Sequence, residues 1–377
     1  MTASSSSTAE KDIYIFTTSQ IPLPIKYSHP RKPNLVIPPI LHRTLHNALD
    51  GESPSILFKN SELIIPHPDE LIKHDLPCTS FSNSNSFENK LNENELLDSS
   101  FSNQILDSEL TIKLHLIGNP STSSSSSLSS KDVDDDDNDN DEKVVVEEYL
   151  NWIKKSLEIL EKYKGFKKEK IDNFLIGFKG IDYRGSKTIA SEMFGCGSEG
   201  LENPNTQIIS NKLEKIVLNV FNKINYFFEN ENKNENNTKL GSLYFTLNLL
   251  KKLKSQIKIN SLDTPDCHHL PKEYTNFAKE NKIQLWAGGG GEGSDPLPSI
   301  HLHNLLQEFS IKLNDLTNGE FNNSSLENLI NLREDGLKFQ ENVEKAVQVK
   351  WVLSYTLVSK TRNVVKDKGY IVAANFI

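Results

Sequence analysis

Lys360 and Arg362 stand in a short polar turn, residues 359–362 (S-K-T-R), directly after an apolar run at 351–358. That run is rich in β-branched and aromatic residues and reads as a buried strand. A hydrophobic strand that delivers a lysine and an arginine at its C-terminal end is a common way to build an anion or phosphate site. The other reading is a pair of solvated turn residues, and spacing alone does not separate the two. Residues 363–372 resume an apolar pattern around Lys366, Asp367 and Lys368, with Gly369 expected to break it.

Three further places combine suitable residue types. Asp266, Cys267, His268 and His269 are adjacent on a loop. Cys267 beside a histidine could be an activated thiol or an ordinary half-buried cysteine, and adjacent loop residues cannot all face one metal. Residues 288–291 are glycines, followed by Glu292, Gly293, Ser294 and Asp295. No lysine follows as in a phosphate-binding loop, and Pro296 and Pro298 stand where a dinucleotide fingerprint would open a helix, so a plain loop is expected. His42 and His46 have a metal-capable spacing, but no glutamate follows His42 and no third ligand is near, so a surface pair is expected. No zinc signature, nucleophile elbow or defensible carboxylate pair is present.

These residues need a frame. The chain has 377 residues, enough for two ordinary domains or one α/β barrel with insertions. Apolar residues make up only 36% and mean hydropathy is −0.48. The deficit lies in Ser-, Asn- and Asp-rich stretches, so the remainder can still form a sizeable core. A net charge of −9 argues against a general nucleic-acid binder. Cys78, Cys196 and Cys267 are odd in number and far apart, which fits a reducing compartment without disulfides. The opening residues lack a basic-then-apolar leader, and no apolar run approaches a membrane span. The expectation is a cytoplasmic protein.

Residues 1–10 read as a disordered tail, and 11–377 as a single domain with low-complexity insertions at about 78–103, 119–142, 181–208 and 229–239. The insertion at 119–142 ends in an acidic run that self-repels and is expected to be disordered. It lacks the glycine and closing glutamate of a calcium loop. Strands are expected at 12–17, 110–117, 172–178, 257–262, 283–287 and from 351, with a short strand around Leu240. Lys113 and His115 share one face of the second of these. Helices are expected at 39–49, 146–164 with Gly165 as the C-terminal cap, from Asn211 with Glu214 in a capping box, at 272–281, 301–317 and about 325–346. The strand–helix alternation is the rhythm of a (β/α)8 barrel or a doubly wound sheet.

The segments 172–178 (DNFLIGF), 240–285 and 351–372 resemble the aldo-keto reductase superfamily. The most specific pieces are F-A-K-E-x-x-I-Q-L at 277–285 and V-x-K-x-R-x-x-x-K-x-K-G-Y-I at 358–371. Within that superfamily they are most similar to a non-enzymatic branch, the regulatory (modifier, light-chain) subunits of glutamate–cysteine ligase. The likeness covers about half the chain, mostly from Val146 onward.

The resemblance implies a (β/α)8 TIM-type barrel and a heterodimer with the ligase catalytic subunit; the charge and the lack of an apolar span add the expectation of no nucleic-acid or membrane partner. It also exposes the catalytic set to a test. Reductases of this superfamily use a tyrosine acid, a lysine and an aspartate that tune it, and a histidine that orients the carbonyl. The histidine position falls on Gly177. No aspartate in residues 1–117 has a tyrosine five positions on, and only Lys113 matches the catalytic lysine. The resemblance thus implies a protein that is not an enzyme, with Lys113 vestigial. Lys360, Thr361 and Arg362 resemble the turn that holds the NADPH adenosine phosphate, with Ser359 in the place of its proline. Cys267 falls where these subunits can form an intersubunit disulfide. The alternative is an NADPH-dependent reductase with an altered site.

Overall fold

Apolar residues at alternate positions from Val347 onward draw the C-terminal region into two long strands, β9 (Val347–Ser359) and β10 (Val365–Phe376), paired antiparallel from Val365↔Val358 to Phe376↔Val347. This hairpin lies at the middle of a ten-stranded sheet in a computed structural model that describes residues 11–17, 36–71, 108–120, 138–181, 209–231, 238–263, 272–288, 293–319, 347–361 and 364–376. On one side β10 pairs antiparallel with β1 (Lys11–Phe16), which runs parallel to β3 (Glu62–Ile65), itself paired with the short β2 (Leu57–Lys59). On the other side β9 pairs antiparallel with β4 (Ser108–Leu116). From there β4, β5 (Asn173–Phe178), β6 (Lys239–Leu243), β7 (Ile259–Asp263) and β8 (Gln284–Gly288) are all parallel. Pairing runs from β2 to β8, and among the described residues no pair joins these two edges.

Seven helices are described: α1 (Ile37–Leu49), α2 (Asn138–Lys164), α3 (Asn211–Glu231), α4 (Leu247–Leu253), α5 (Lys272–Glu280), α6 (Ser299–Glu308) and α7 (Ser310–Leu316). The apolar stripes of α2 and α3 at helical spacing pack on one sheet face. There Ile153, Leu157 and Leu160 of α2, with Val217, Val220 and Phe221 of α3, meet Ile112 and Leu114 of β4 and Phe174 and Ile176 of β5. Leu41 and Leu45 of α1, Leu302 and Leu306 of α6 and Leu313 of α7 belong to a second cluster with Ile13, Ile15, Val352 and Val372. Ile13 and Ile15 alternate with Tyr14 and Phe16, which belong to the first cluster. The protein is therefore a mixed α/β fold with apolar clusters on both faces of its sheet.

The alternation expected from 146 to 288 is present in α2–β5–α3–β6–α4–β7–α5–β8. Several expectations need correction. Gly369 does not break the C-terminal pattern; it sits mid-strand opposite Tyr355, and β10 continues past it to Phe376. Residues 138–142 of the acidic run belong to α2 rather than to a disordered insertion. Acidic side chains suit a helix N-terminus, whose free N–H groups carry partial positive charge. Helix α3 likewise runs on to Glu231, into the polar stretch. Ser210, not Asn211, caps α3: its hydroxyl accepts the Leu213 N–H at 3.2 Å, while Glu214 pairs with Lys252 instead of closing a capping box. Gly165 does cap α2, with φ of 72° and its N–H donating to the Glu161 carbonyl at 2.9 Å. The β2–β3 hairpin was not foreseen: the strands are short and turn through Asn60 and Ser61, both in the left-handed region. The helix expected at about 325–346, Cys78, Cys196 and the 78–103 insertion lie outside the described residues, as does nearly all of 181–208.

Candidate functional site

Strand alternation sends Lys113 and His115 of β4 to the face away from α2. His115 is buried and is the direct partner of Gly177 on β5, while Lys113 is half-buried beside Leu175 and Ser354. A Cβ at Gly177 would lie 3.0 Å from the Leu243 Cβ and 3.6 Å from the His115 ring. A side chain at position 177 would press on Leu243, which would have to give by a few tenths of an ångström, and would meet the imidazole of the neighbouring strand in ordinary contact. Leu175, Leu243, Tyr244 and Ile259 form a small apolar cluster on this face, with Trp286 packed against it. The Tyr244 ring lies 6.1 Å from that of His115. Tyr244 follows β6 with a φ of 62°, in the left-handed region, where sequence pattern gives no hint of which way the side chain turns. The tyrosine beside His115 was missed because it comes from the residue after β6, not from the expected spacing after an aspartate.

The basic turn is elsewhere. Lys360 and Thr361 follow β9, whose last residue, Ser359, pairs with Ser108, the first of β4. Because β9 runs antiparallel to β4, the turn sits where the parallel strands begin, and Gly177 lies near where β5 ends. Ser108 to His115 is seven residues along β4, about 23 Å at roughly 3.3 Å per residue. The turn is built locally: the Ser359 N–H donates to the Val364 carbonyl at 2.9 Å, and the hydroxyls of Ser359 and Thr361 are 3.0 Å apart. Lys360 and Thr361 are exposed. The structure therefore does not bring the lysine–threonine turn to Lys113 or Gly177. Arg362 and Cys267 lie outside the described residues.

The most heavily buried charges belong to neither place. Lys164, in the last turn of α2, reaches Asp367 of β10 at 3.2 Å, with both side chains 3% exposed. The Lys164 ammonium lies 5.1 Å from the centre of the Tyr355 ring. Burial lowers the Lys164 pKa, and Asp367 opposes that shift. Burial, and next the Asp367 charge, raise the Tyr355 phenol well above its ordinary value. A phenol held neutral in this way is a poor proton donor, so the cluster fits a structural lock better than an acid catalyst.

Other candidate groups are tied into the fold. His42 meets Glu308 at 3.0 Å and His46 meets Asp50 at 2.6 Å, so each histidine of the α1 pair has a carboxylate partner. Asp295, beyond the glycine run, pairs with Lys179 at 3.4 Å, while 289–292 lie outside the described residues. Among the described residues no group of three or more His, Cys, Asp or Glu is placed to hold a metal ion. No described helix is long and apolar enough to cross a membrane. Comparison with family models, with curated proteins and with solved structures finds no match to this chain.

Proposed function

We propose that this chain is a non-catalytic regulatory subunit that binds the catalytic subunit of glutamate–cysteine ligase. In that role it raises the efficiency of the first step of glutathione biosynthesis and eases feedback inhibition by glutathione. The observation that carries the reading is Gly177: the position that, on the resemblance, would orient a carbonyl in a reductase holds no side chain, and Leu243 is packed 3.0 Å from where a Cβ would lie. The two segments that most resemble the family support it too. Residues 277–285 span the end of α5 and the start of β8, and the described residues of 358–371 cover the end of β9, Lys360, Thr361 and the first half of β10, beside the buried Lys164–Asp367 pair. The (β/α)8 barrel of that family belongs to this reading and requires the β2 and β8 edges to close. A regulatory subunit acts by binding one state of its partner preferentially, and it shifts the partner by no more than that differential affinity.

The test is to mix the full chain with the ligase catalytic subunit of the same organism and follow γ-glutamylcysteine formation across glutamate concentration, with and without glutathione. Co-elution on gel filtration, a lower apparent glutamate requirement and weaker glutathione inhibition are expected. Absence of both co-elution and kinetic change would overturn the reading. A second reading, an NADPH-dependent aldo-keto reductase with an altered site, is favoured by one observation: Lys113 and His115 share one face of β4, with the Tyr244 ring 6.1 Å from that of His115. Steady NADPH consumption with a panel of aldehydes would establish it.

A further inference from the structure

We propose that the edge of the sheet where β5 to β8 begin is a docking surface for an acidic patch on a partner protein. Three exposed lysines, Lys239, Lys258 and Lys282, stand at or just before the starts of β6, β7 and β8. Backbone hydrogen bonds fix their order along the edge. The Lys239 N–H donates to the Asp172 carbonyl, the Lys258 N–H to the Leu240 carbonyl and the Gln284 N–H to the Lys258 carbonyl, each at 2.8 Å. Lys360 joins the row at the end of β9, and its charge acts on Asp172 together with that of Lys239. None of these four lysines has an ion pair among the described residues. By contrast Lys155, Lys223, Lys251, Lys252 and Lys312 on the helices are each held by a carboxylate. Of the carboxylates in this region, Asp172 accepts the Leu110 N–H at 2.7 Å and Glu109 accepts from Asn173 at 2.7 Å, while Glu169 and Glu280 stand exposed near the starts of β5 and β8.

Three considerations fix the kind of partner. The whole chain carries a net charge of −9, so an anionic partner is repelled by the molecule at large and drawn to this edge, which orients its approach. The N-terminus of α2, with its acidic residues, does not neutralise the edge. Lys164 ends that 27-residue helix beside the start of β10, which places Asn138 about 40 Å away at 1.5 Å per residue. Finally, Val364 and Val365, at the tip of the β9–β10 hairpin next to Lys360, are 54% and 55% exposed. Apolar side chains beside cations suit a protein surface with an apolar centre and an acidic rim. Reading bases would call for arginine forks or stacking aromatics, and lysine contacts to phosphate are separated from contacts to carboxylate by the DNA arm of the test below. The proposal rests on charge and geometry and holds whichever protein supplies the acidic patch.

The experiment uses the full chain and fluorescently labelled polyglutamate as the probe, with binding read by anisotropy at low and moderate salt. Wild type is expected to bind with salt-sensitive affinity. Lys239→Glu/Lys258→Glu/Lys360→Glu is expected to weaken binding by about tenfold or more. Lys143→Glu/Lys154→Glu/Lys215→Glu, which carries the same charge change on exposed lysines of α2 and α3, is expected to bind as wild type. Circular dichroism checks that both variants fold, and the milder glutamine triple at 239, 258 and 360 serves if the glutamate triple does not. Equal binding by the edge variant and wild type would overturn the proposal. Tighter binding to duplex DNA or to phosphatidylserine vesicles than to polyglutamate would overturn it as well.

Discussion

The Lys164 ammonium and the Asp367 carboxylate are 3.2 Å apart and equally withdrawn from water, joining the end of α2 to the start of β10. Taking each charge out of water costs several kcal/mol, and the attraction offsets that cost only while both partners are present. Asp367→Asn or Lys164→Met alone is therefore expected to destabilise the fold by about 3–5 kcal/mol, seen as an earlier urea midpoint with little change in slope. The double substitution Lys164→Met/Asp367→Leu should recover most of that loss. Additive single and double effects would show that the two groups do not act as a pair.

Gly369 and Tyr355 face each other across the β9–β10 ladder. A Cβ at 369 would lie 2.6 Å from the Tyr355 hydroxyl and 2.8 Å from the Thr17 carbonyl oxygen, and backbone cannot move aside cheaply. Gly369→Ala is expected to cost about 1–3 kcal/mol through overpacking. The Tyr355 hydroxyl is buried with no hydrogen-bond partner among the described residues. Tyr355→Phe removes that orphaned group and should be neutral or stabilising by about 1 kcal/mol. Thermal melts of the two variants give opposite signs if this contact is as tight as it stands.

Buried phenols set the alkaline limit. Burial, with a smaller push from Glu148, moves the Tyr149 phenol up to about 12. Burial likewise raises Tyr14, helped by Asp12 and Glu62, and Tyr355. A raised folded pKa means that the stabilising effect is complete below the ordinary phenol value near 10 and is lost as pH rises through the folded value. Tyr149 alone should account for about 3 kcal/mol between pH 10 and 12, at 1.36 kcal/mol per unit. Urea unfolding should show little phenol-driven change between pH 8 and about 9.5 and a fall from pH 10 to 11.5, and Tyr149→Phe should flatten that fall.

Local pattern carried much of this fold and little of its connectivity. The amphipathic stripes of α1, α2 and α3 were legible because apolar residues at 3.6-residue spacing must find a core. So were β4 and β5, where Ile112, Leu114, Phe174 and Ile176 alternate or cluster as strand residues do. What could not be read was which strand lies beside which. That β9 runs antiparallel to β4, and so carries Lys360 away from Gly177, depends on long-range pairing that no local window contains. The same limit hid Asp367. In sequence it is one charge among Lys366 and Lys368, and only the arrival of Lys164 from 203 residues away makes it a buried partner (367 − 164). Tyr244 was missed because a left-handed turn residue points where propensity cannot say.

Position 177 decides between the two functional readings. If the chain is a reductase whose altered site uses Lys113, His115 and Tyr244, Gly177→His should restore the imidazole expected at that position and turnover should rise. The packing argues otherwise. The new side chain would have to enter against Leu243 at 3.0 Å and His115 at 3.6 Å, measured from its Cβ alone. The Lys360–Thr361 turn would still lie at the other end of the parallel strands. Gly177→His is expected to lower stability by about 1–3 kcal/mol or more. Adding Leu243→Ala should relieve part of that strain, and neither variant should consume NADPH with aldehydes above the rate of the unmodified chain. Steady, aldehyde-dependent turnover in the relieved variant would show that Lys113, His115 and Tyr244 define a working site, and would favour the reductase reading over the regulatory one.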